Sequence, residues 1–181
     1  MSLFRNFILS ILIFSFSAYA QDESSDKLIE ESLLALPEHL RDEASVAYFA
    51  EGKRVALREG SNGLTCQPDD PDSPGFAVWC YPKSHAAYTK RWYELAAEGR
   101  ERAEVDEMIT EEIESNKLEW PAIAVNYNLR GPSLDTAVPL TVVYVPFSTG
   151  ESIGVTEERQ FNRPWLMLAG TAFAHIMIPG Q

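Results

Sequence analysis

Two cysteines, three histidines and one acidic loop carry most of the chemistry that this chain could offer. Cys66 and Cys80 stand 14 positions apart, on either side of a segment that contains Pro68, Pro71 and Pro74 with Asp69, Asp70 and Asp72. Reduced, the pair could act as a thiol nucleophile with His175 or complete a Cys2His2 zinc set with His85 and His175. Zinc-finger spacing is missing, because neither a C-x2-4-C nor an H-x3-5-H pair occurs. Oxidised, the pair would close a loop of about 15 residues and stabilise the fold by about 3 kcal/mol, by constraining the unfolded chain.

His175 lies between Phe173 and Met177 on one face of an apolar terminal segment, the pattern of a hydrogen-bonded core histidine. The chemical alternative makes it a general base, oriented by a carboxylate such as Asp69 or Glu59. The run Asp69-Asp70-Pro71-Asp72 offers oxygens to calcium, which needs about six to eight of them, but its prolines break the alternating spacing of a regular calcium loop. A solvated turn is expected there, and no metal. Arg58, Glu59 and Asn62 flank a turn, and together with Asp69 and His175 they make the candidate binding surface. No G-x-S-x-G, H-E-x-x-H, P-loop or dinucleotide fingerprint occurs, so no catalytic residue is assigned beyond His175 and no cofactor is expected.

The redox state of the cysteines depends on compartment, and the first twenty residues speak to that. Arg5 precedes the apolar run Phe7 to Phe16, and Ala18-Tyr19-Ala20 follows it, the pattern of a cleavable secretory signal. Ten apolar-biased residues are too few for a bilayer core that takes about 20. The mature chain is therefore expected to begin at Gln21 and to reach the periplasm or the medium, where a disulfide persists. Removing Arg5 with the leader leaves 14 Lys and Arg against 27 Asp and Glu, a net charge of −13. Such a surface repels nucleic acid and anionic lipid, leaving a small molecule or a protein as the expected partner and no membrane after cleavage. The remaining length, about 161 residues, suits one compact domain spanning 21–181.

The elements that must position these groups follow from periodicity. A flexible lead over 21–27 overlaps a helix from Asp26 to Ala35, capped by Ser25 and stopped by Pro37. Ser45–Ala50 and Arg54–Glu59 flank Glu51-Gly52 as a hairpin, and Asn62-Gly63 turns the chain into a short strand at Leu64–Cys66. An aromatic segment runs from Phe76 to Tyr81. Two amphipathic helices are expected over Ser84–Glu98 and Arg102–Ser115, the first capped by Ser84 and the second strongly acidic outside. Ala122–Arg130 alternates as a half-buried strand, and Leu140–Phe147 is apolar on both alternating sets, as for a central strand covered on each side. Trp165–Leu168 and Phe173–Ile178 complete the strands. Without regular β-α-β alternation, the fold class is α+β, a largely antiparallel sheet with two or three packed helices.

The run Leu57-Arg-Glu-Gly-Ser-Asn-Gly-Leu-Thr-Cys66, with Pro68-Asp69, Pro71, Pro74 and Cys80, resembles a functionally uncharacterised family of small exported bacterial proteins with an L-R-x-G-[ST]-N-G-W-T-C-x-P-D pattern. Tyr127-Asn-Leu-Arg-Gly131 and Ala174-His-Ile-Met-Ile178 are similar to the family's later blocks. Leu64 departs from a usual tryptophan, and Trp79 from a methionine. The resemblance implies export, the cysteine pair and one compact domain. The function expected on all these grounds is a non-catalytic binding or interaction domain; the alternative is a hydrolase-like enzyme using His175 with a carboxylate.

Overall fold

The computed structural model describes the backbone over residues 16–180 and side chains over 24–180. Its strands are β1 (Ser45–Ala50), β2 (Lys53–Arg58), β3 (Leu64–Gln67), β4 (Phe76–Pro82), β5 (Ala124–Gly131), β6 (Val138–Tyr144), β7 (Trp165–Met167) and β8 (His175–Pro179). The helices are α1 (Phe16–Leu33), α2 (Ala86–Ala97), α3 (Arg102–Glu114) and α4 (Gly150–Ile153). The strands form one sheet in the order β2-β1-β3-β4-β5-β6-β8-β7, antiparallel throughout except where β1 runs parallel to β3. The α+β class is thus realised, with four helices among the described residues rather than two or three.

Strand alternation gives the sheet two unlike faces. Val46, Cys66 and Cys80 lie in register with Tyr127, and their face receives Ile29 and Leu33 of α1 with Leu36 and Leu40 of the following turns. The opposite face carries Phe49, Gln67, Tyr81 and Asn126 and is crossed by α2. There Phe49 stacks on Tyr93 with ring centroids 4.5 Å apart, and Tyr93 donates to Gln67 Oε1 at 2.8 Å. α3 packs outside α2 through Leu95, Val105 and Ile109, and a forked Arg91–Glu112 pair, 2.7 Å at its shortest, ties the two helices.

The sequence block that carries the family resemblance is a backbone clamp. Arg58 donates from Nε and Nη2 to Ala44 O and from Nη2 to Arg41 O, while Asn62 Nδ2 donates to Leu40 O and Asn62 Oδ1 accepts from Leu64 N. Gly60 crosses so close to 43–45 that a Cβ would stand 2.3 Å from Glu43 O, so only glycine fits between the two clamping residues. These bonds satisfy the Leu40 and Ala44 carbonyls and give a second donor to Arg41 O, which also accepts from Ala44 N.

Several expectations are corrected. Ser25 lies inside α1 rather than at its start, and 21–27, expected as a lead, is continuous with the helix. Residues 1–15 of the expected leader lie outside the described residues, and 16–20 belong to α1. Ser84 sits in a 3-10 turn, Lys83–His85, which occupies the positions expected to begin α2. β6 is interior to the sheet, but Val142 is its one buried residue and Val138 is 60% exposed; the turn leading into α2 reaches only its Tyr144 end. Among the described residues no helix is long and apolar enough to cross a membrane.

Cys66 and Cys80 are joined in a disulfide, which removes both thiol-based alternatives. The bond links directly opposed residues of β3 and β4 and is fully buried beneath α1, rather than merely tethering the proline loop. Cys66→Ala and Cys80→Ala should each destabilise by about 3 kcal/mol, measured by thermal unfolding, with the double variant little worse than either, since the bond is absent in all three. Clearly unequal single variants would show that packing around one sulfur, not the bond, is what matters.

Candidate functional site

The residues expected to form a binding surface do not converge. Glu59 is exposed and pairs with Arg54 at 3.1 Å, while Arg58 and Asn62 are turned onto backbone carbonyls as described. Asp69 accepts from Ala77 N at 2.7 Å, and Asp70 accepts from Asp72 N and the Ser73 hydroxyl, so these carboxylates brace their own loop. His175 begins β8, four strand positions from β3 and six from β2. At about 4.8 Å per strand this puts it about 19 Å from the β3 end that leads to Asp69 and about 29 Å from the β2 end near Glu59. Neither carboxylate can orient it. Its Nδ1 lies 2.7 Å from Phe173 O, and since a carbonyl only accepts, the neutral ring carries its proton on Nδ1. Burial lowers its pKa, a shift opposed by that hydrogen bond.

His175 instead leads into an aromatic and polar layer that sequence reading missed. Its ring lies 5.2 Å from Tyr144, whose ring stands edge-on to His85 at 4.7 Å, and His85 stacks on Trp120 at 4.8 Å. Trp120 is fixed by donation from Nε1 to Ala172 O at 2.8 Å. His85, Thr89 and Tyr93 follow one another at helical i, i+4 spacing along the sheet-facing side of α2 and its leading turn, opposite Asn126, Tyr81 and Gln67. The signal was available as a polar stripe, but Tyr88, Trp92 and Leu95 made the adjoining stripe look like the buried one.

This layer is tightly closed. His85 is 0% exposed, Thr89 1%, Gln67 3% and Asn126 4%, yet among the described residues both ring nitrogens of His85, Thr89 Oγ1, Asn126 Oδ1 and Gln67 Nε2 have no hydrogen-bond partner. Desolvation by burial pushes His85 from its ordinary value down to about 4, with the Asn126 side chain pulling weakly the other way. The imidazole is therefore neutral at pH 7. Burial likewise raises Tyr88 and Tyr144, and takes Tyr93 to about 12, so the layer holds no ionised group around neutrality.

Farther along the same face the helices no longer cover the sheet, and a cleft of about 480 Å³ opens. Its wall is Trp165, Leu166, Met167 and Leu168 with Met177 of β8, while Arg130, Glu157 and Arg159 bring charge to it. Register joins it to the aromatic layer, since Met167 pairs with His175 and Trp165 with Met177. Both arginines are exposed, and among the described residues neither has an ion pair or an acceptor for its guanidinium N–H groups; Arg159 lies 5.3 Å from the centre of the Phe161 ring. Glu157 is otherwise engaged, its Oε1 accepting from Gly150 N at 2.7 Å.

Leu168 of the cleft and Phe147 on a neighbouring turn share a strained backbone conformation. Phe147 and Leu168 have φ of 60° and 53°, a left-handed conformation that costs a residue with a side chain about 1–2 kcal/mol. Phe147 N donates to Thr171 O at 2.7 Å and Gly170 N to Ser148 O at 2.8 Å, so the two turns are bonded to each other. Both side chains are more than half exposed. Comparison of the chain with protein-family models, with curated proteins and with solved structures finds no match.

Because His85 takes up a proton at pH 6.5 when unfolded and only at about 4 when folded, the unfolded state binds more protons between these values, and stability falls as pH drops through that window. In denaturant unfolding between pH 7.5 and pH 4, the wild type should lose about 3 kcal/mol more than His85→Phe, in which the ring contacts persist without a titrating nitrogen. Equal losses in the two proteins would contradict a buried neutral His85. A second expectation concerns His175→Ala, which removes the bond to Phe173 O and half-buried packing against Tyr144 and should lower stability by about 1–2 kcal/mol. An unchanged melting temperature would free His175 from its structural role.

Proposed function

We propose that this chain is an exported, non-catalytic binding domain whose ligand is a small molecule with an anionic group, held in the cleft between β5, β7 and β8. One observation carries the reading: in a protein of net charge −12, two arginines without acceptors stand over an apolar wall of Trp165, Met167 and Met177. Guanidinium groups bind carboxylate or phosphate through forked hydrogen bonds, and an apolar wall beside them supplies contact area for the rest of the ligand. The cleft volume lies within the range usual for small-molecule sites, roughly 300–1,000 Å³. Export is supported by the apolar leader with its Ala18-Tyr19-Ala20 site, by the disulfide and by the resemblance in the Leu57–Cys66 block. The hydrolase-like alternative has less to rest on, since His175 Nδ1 is engaged by Phe173 O rather than by a carboxylate.

Trp165 provides an intrinsic reporter. Titration with a small set of monoanionic carboxylates should change its fluorescence saturably, and Arg130→Gln with Arg159→Gln should weaken that binding by at least tenfold while leaving thermal stability unchanged, because neither guanidinium holds the fold together. Binding undiminished in the double variant would refute the assignment.

A further inference from the structure

The proposed ligand has an apolar part, and the rim of the cleft specifies its shape. The wall ends at Leu168, 53% exposed, and Phe147, 54% exposed, stands on the turn that is hydrogen-bonded to the one following Leu168. Both residues occupy a backbone conformation in which glycine would be unstrained, and both would be better solvated if polar, so two separate penalties are kept at the same spot. Left-handed backbone at both positions, locked by the bonds from Phe147 N to Thr171 O and from Gly170 N to Ser148 O, turns these side chains outward rather than into the core. Exposed apolar surface borders the cleft at Met167 and Leu168, continues to Phe147 on the neighbouring turn, and occurs also at Phe161 beside Arg159 and at Val138 opposite Arg130.

Resting on the binding role proposed above, we propose that the ligand is a single-chain amphiphile, a medium- or long-chain alkyl carboxylate taken as the free monomer, with its head on Arg130 and Arg159 and its chain laid across Leu168 and Phe147. A compact aromatic acid would be satisfied by Trp165 and Met177 and would leave the ridge unused. A lipid bilayer is the less suitable source of the same chemistry, because a chain of net charge −12 is repelled by an anionic membrane surface and the arginines open into a cleft rather than onto a flat face. The reading also accounts for the strain, since the residues that disfavour the free protein are those that would contact the chain.

Calorimetric titration of the whole exported protein with straight-chain carboxylates from butanoate to dodecanoate, below their micellar concentrations, tests this. Affinity should rise by about twofold for each added methylene, as expected for methylenes that are only partly covered, and benzoate should bind no better than butanoate. Phe147→Gly and Leu168→Gly should each raise the melting temperature by relieving strain yet weaken dodecanoate binding by about five- to tenfold, leaving butanoate binding unchanged. Affinity independent of chain length, with the glycine variants binding dodecanoate normally, would overturn the inference while leaving the arginine site intact. Failure of every carboxylate to bind would overturn the site itself. Co-sedimentation with phosphatidylglycerol vesicles in preference to free dodecanoate would overturn the choice of a free monomer.

Discussion

An eight-stranded sheet is wider than the helices that this chain supplies to cover it, and the rest of the architecture follows from that mismatch. Seven inter-strand steps of about 4.8 Å span about 34 Å, whereas a helix pair covers about 20 Å. α1 lies over β1, β3 and β4 on one face; α2 and α3 lie over the other, with the N-terminal end of α2 reaching Asn126 and Tyr144. Beyond that limit Arg130 and Met167 are exposed on the second face, beside the buried Trp165 and the half-buried Met177. The cleft is the uncovered part of a surface whose covered part is the His85 layer, so its position is a consequence of helix length and sheet width.

The covered part has its own cost. A helix usually offers a sheet an apolar stripe, but α2 and its leading turn offer His85, Thr89 and Tyr93, and the sheet answers with Gln67, Tyr81 and Asn126. Tyr93 donates to Gln67 Oε1, while Gln67 Nε2, Thr89 Oγ1, Asn126 Oδ1 and the two ring nitrogens of His85 have no partner among the described residues, an arrangement that is unfavourable for buried polar atoms. The stabilisation that offsets it comes from the stacked and edge-on rings of Trp120, Tyr144 and Tyr88 around His85, and from the core beneath α1 with its buried disulfide.

Much of the scaffold was legible in the sequence, because local periodicity fixes local structure. The Glu51-Gly52 hairpin pairs Ala50 with Lys53 as expected, both turn residues having positive φ, and the strand around Ala124–Gly131 and the two helices on either side of residue 100 lie where their patterns put them. The disulfide was legible from compartment and spacing. The site was not. Arg58 and Asn62 read as a polar surface because a sequence does not show that carbonyls of 40–44 lie within their reach, and His175 attracted attention that its bond to Phe173 O does not support. His85 had no motif partner, and its environment is assembled from segments as distant as Trp120 and Tyr144. Arg130 and Arg159, 29 positions apart, line one cleft only in the folded chain.

The central claim is that the functional surface is the uncovered half of the sheet and not the turn region around Arg58 and Asp69. Chemical-shift mapping of the isotope-labelled protein during titration with decanoate addresses it most directly, because every backbone amide and each Trp indole reports separately. Perturbations should be confined to Arg130, residues 157–168 and Met177, together with Phe147. Perturbations centred on Glu59, Asn62 and Asp69, with the cleft resonances unmoved, would contradict it.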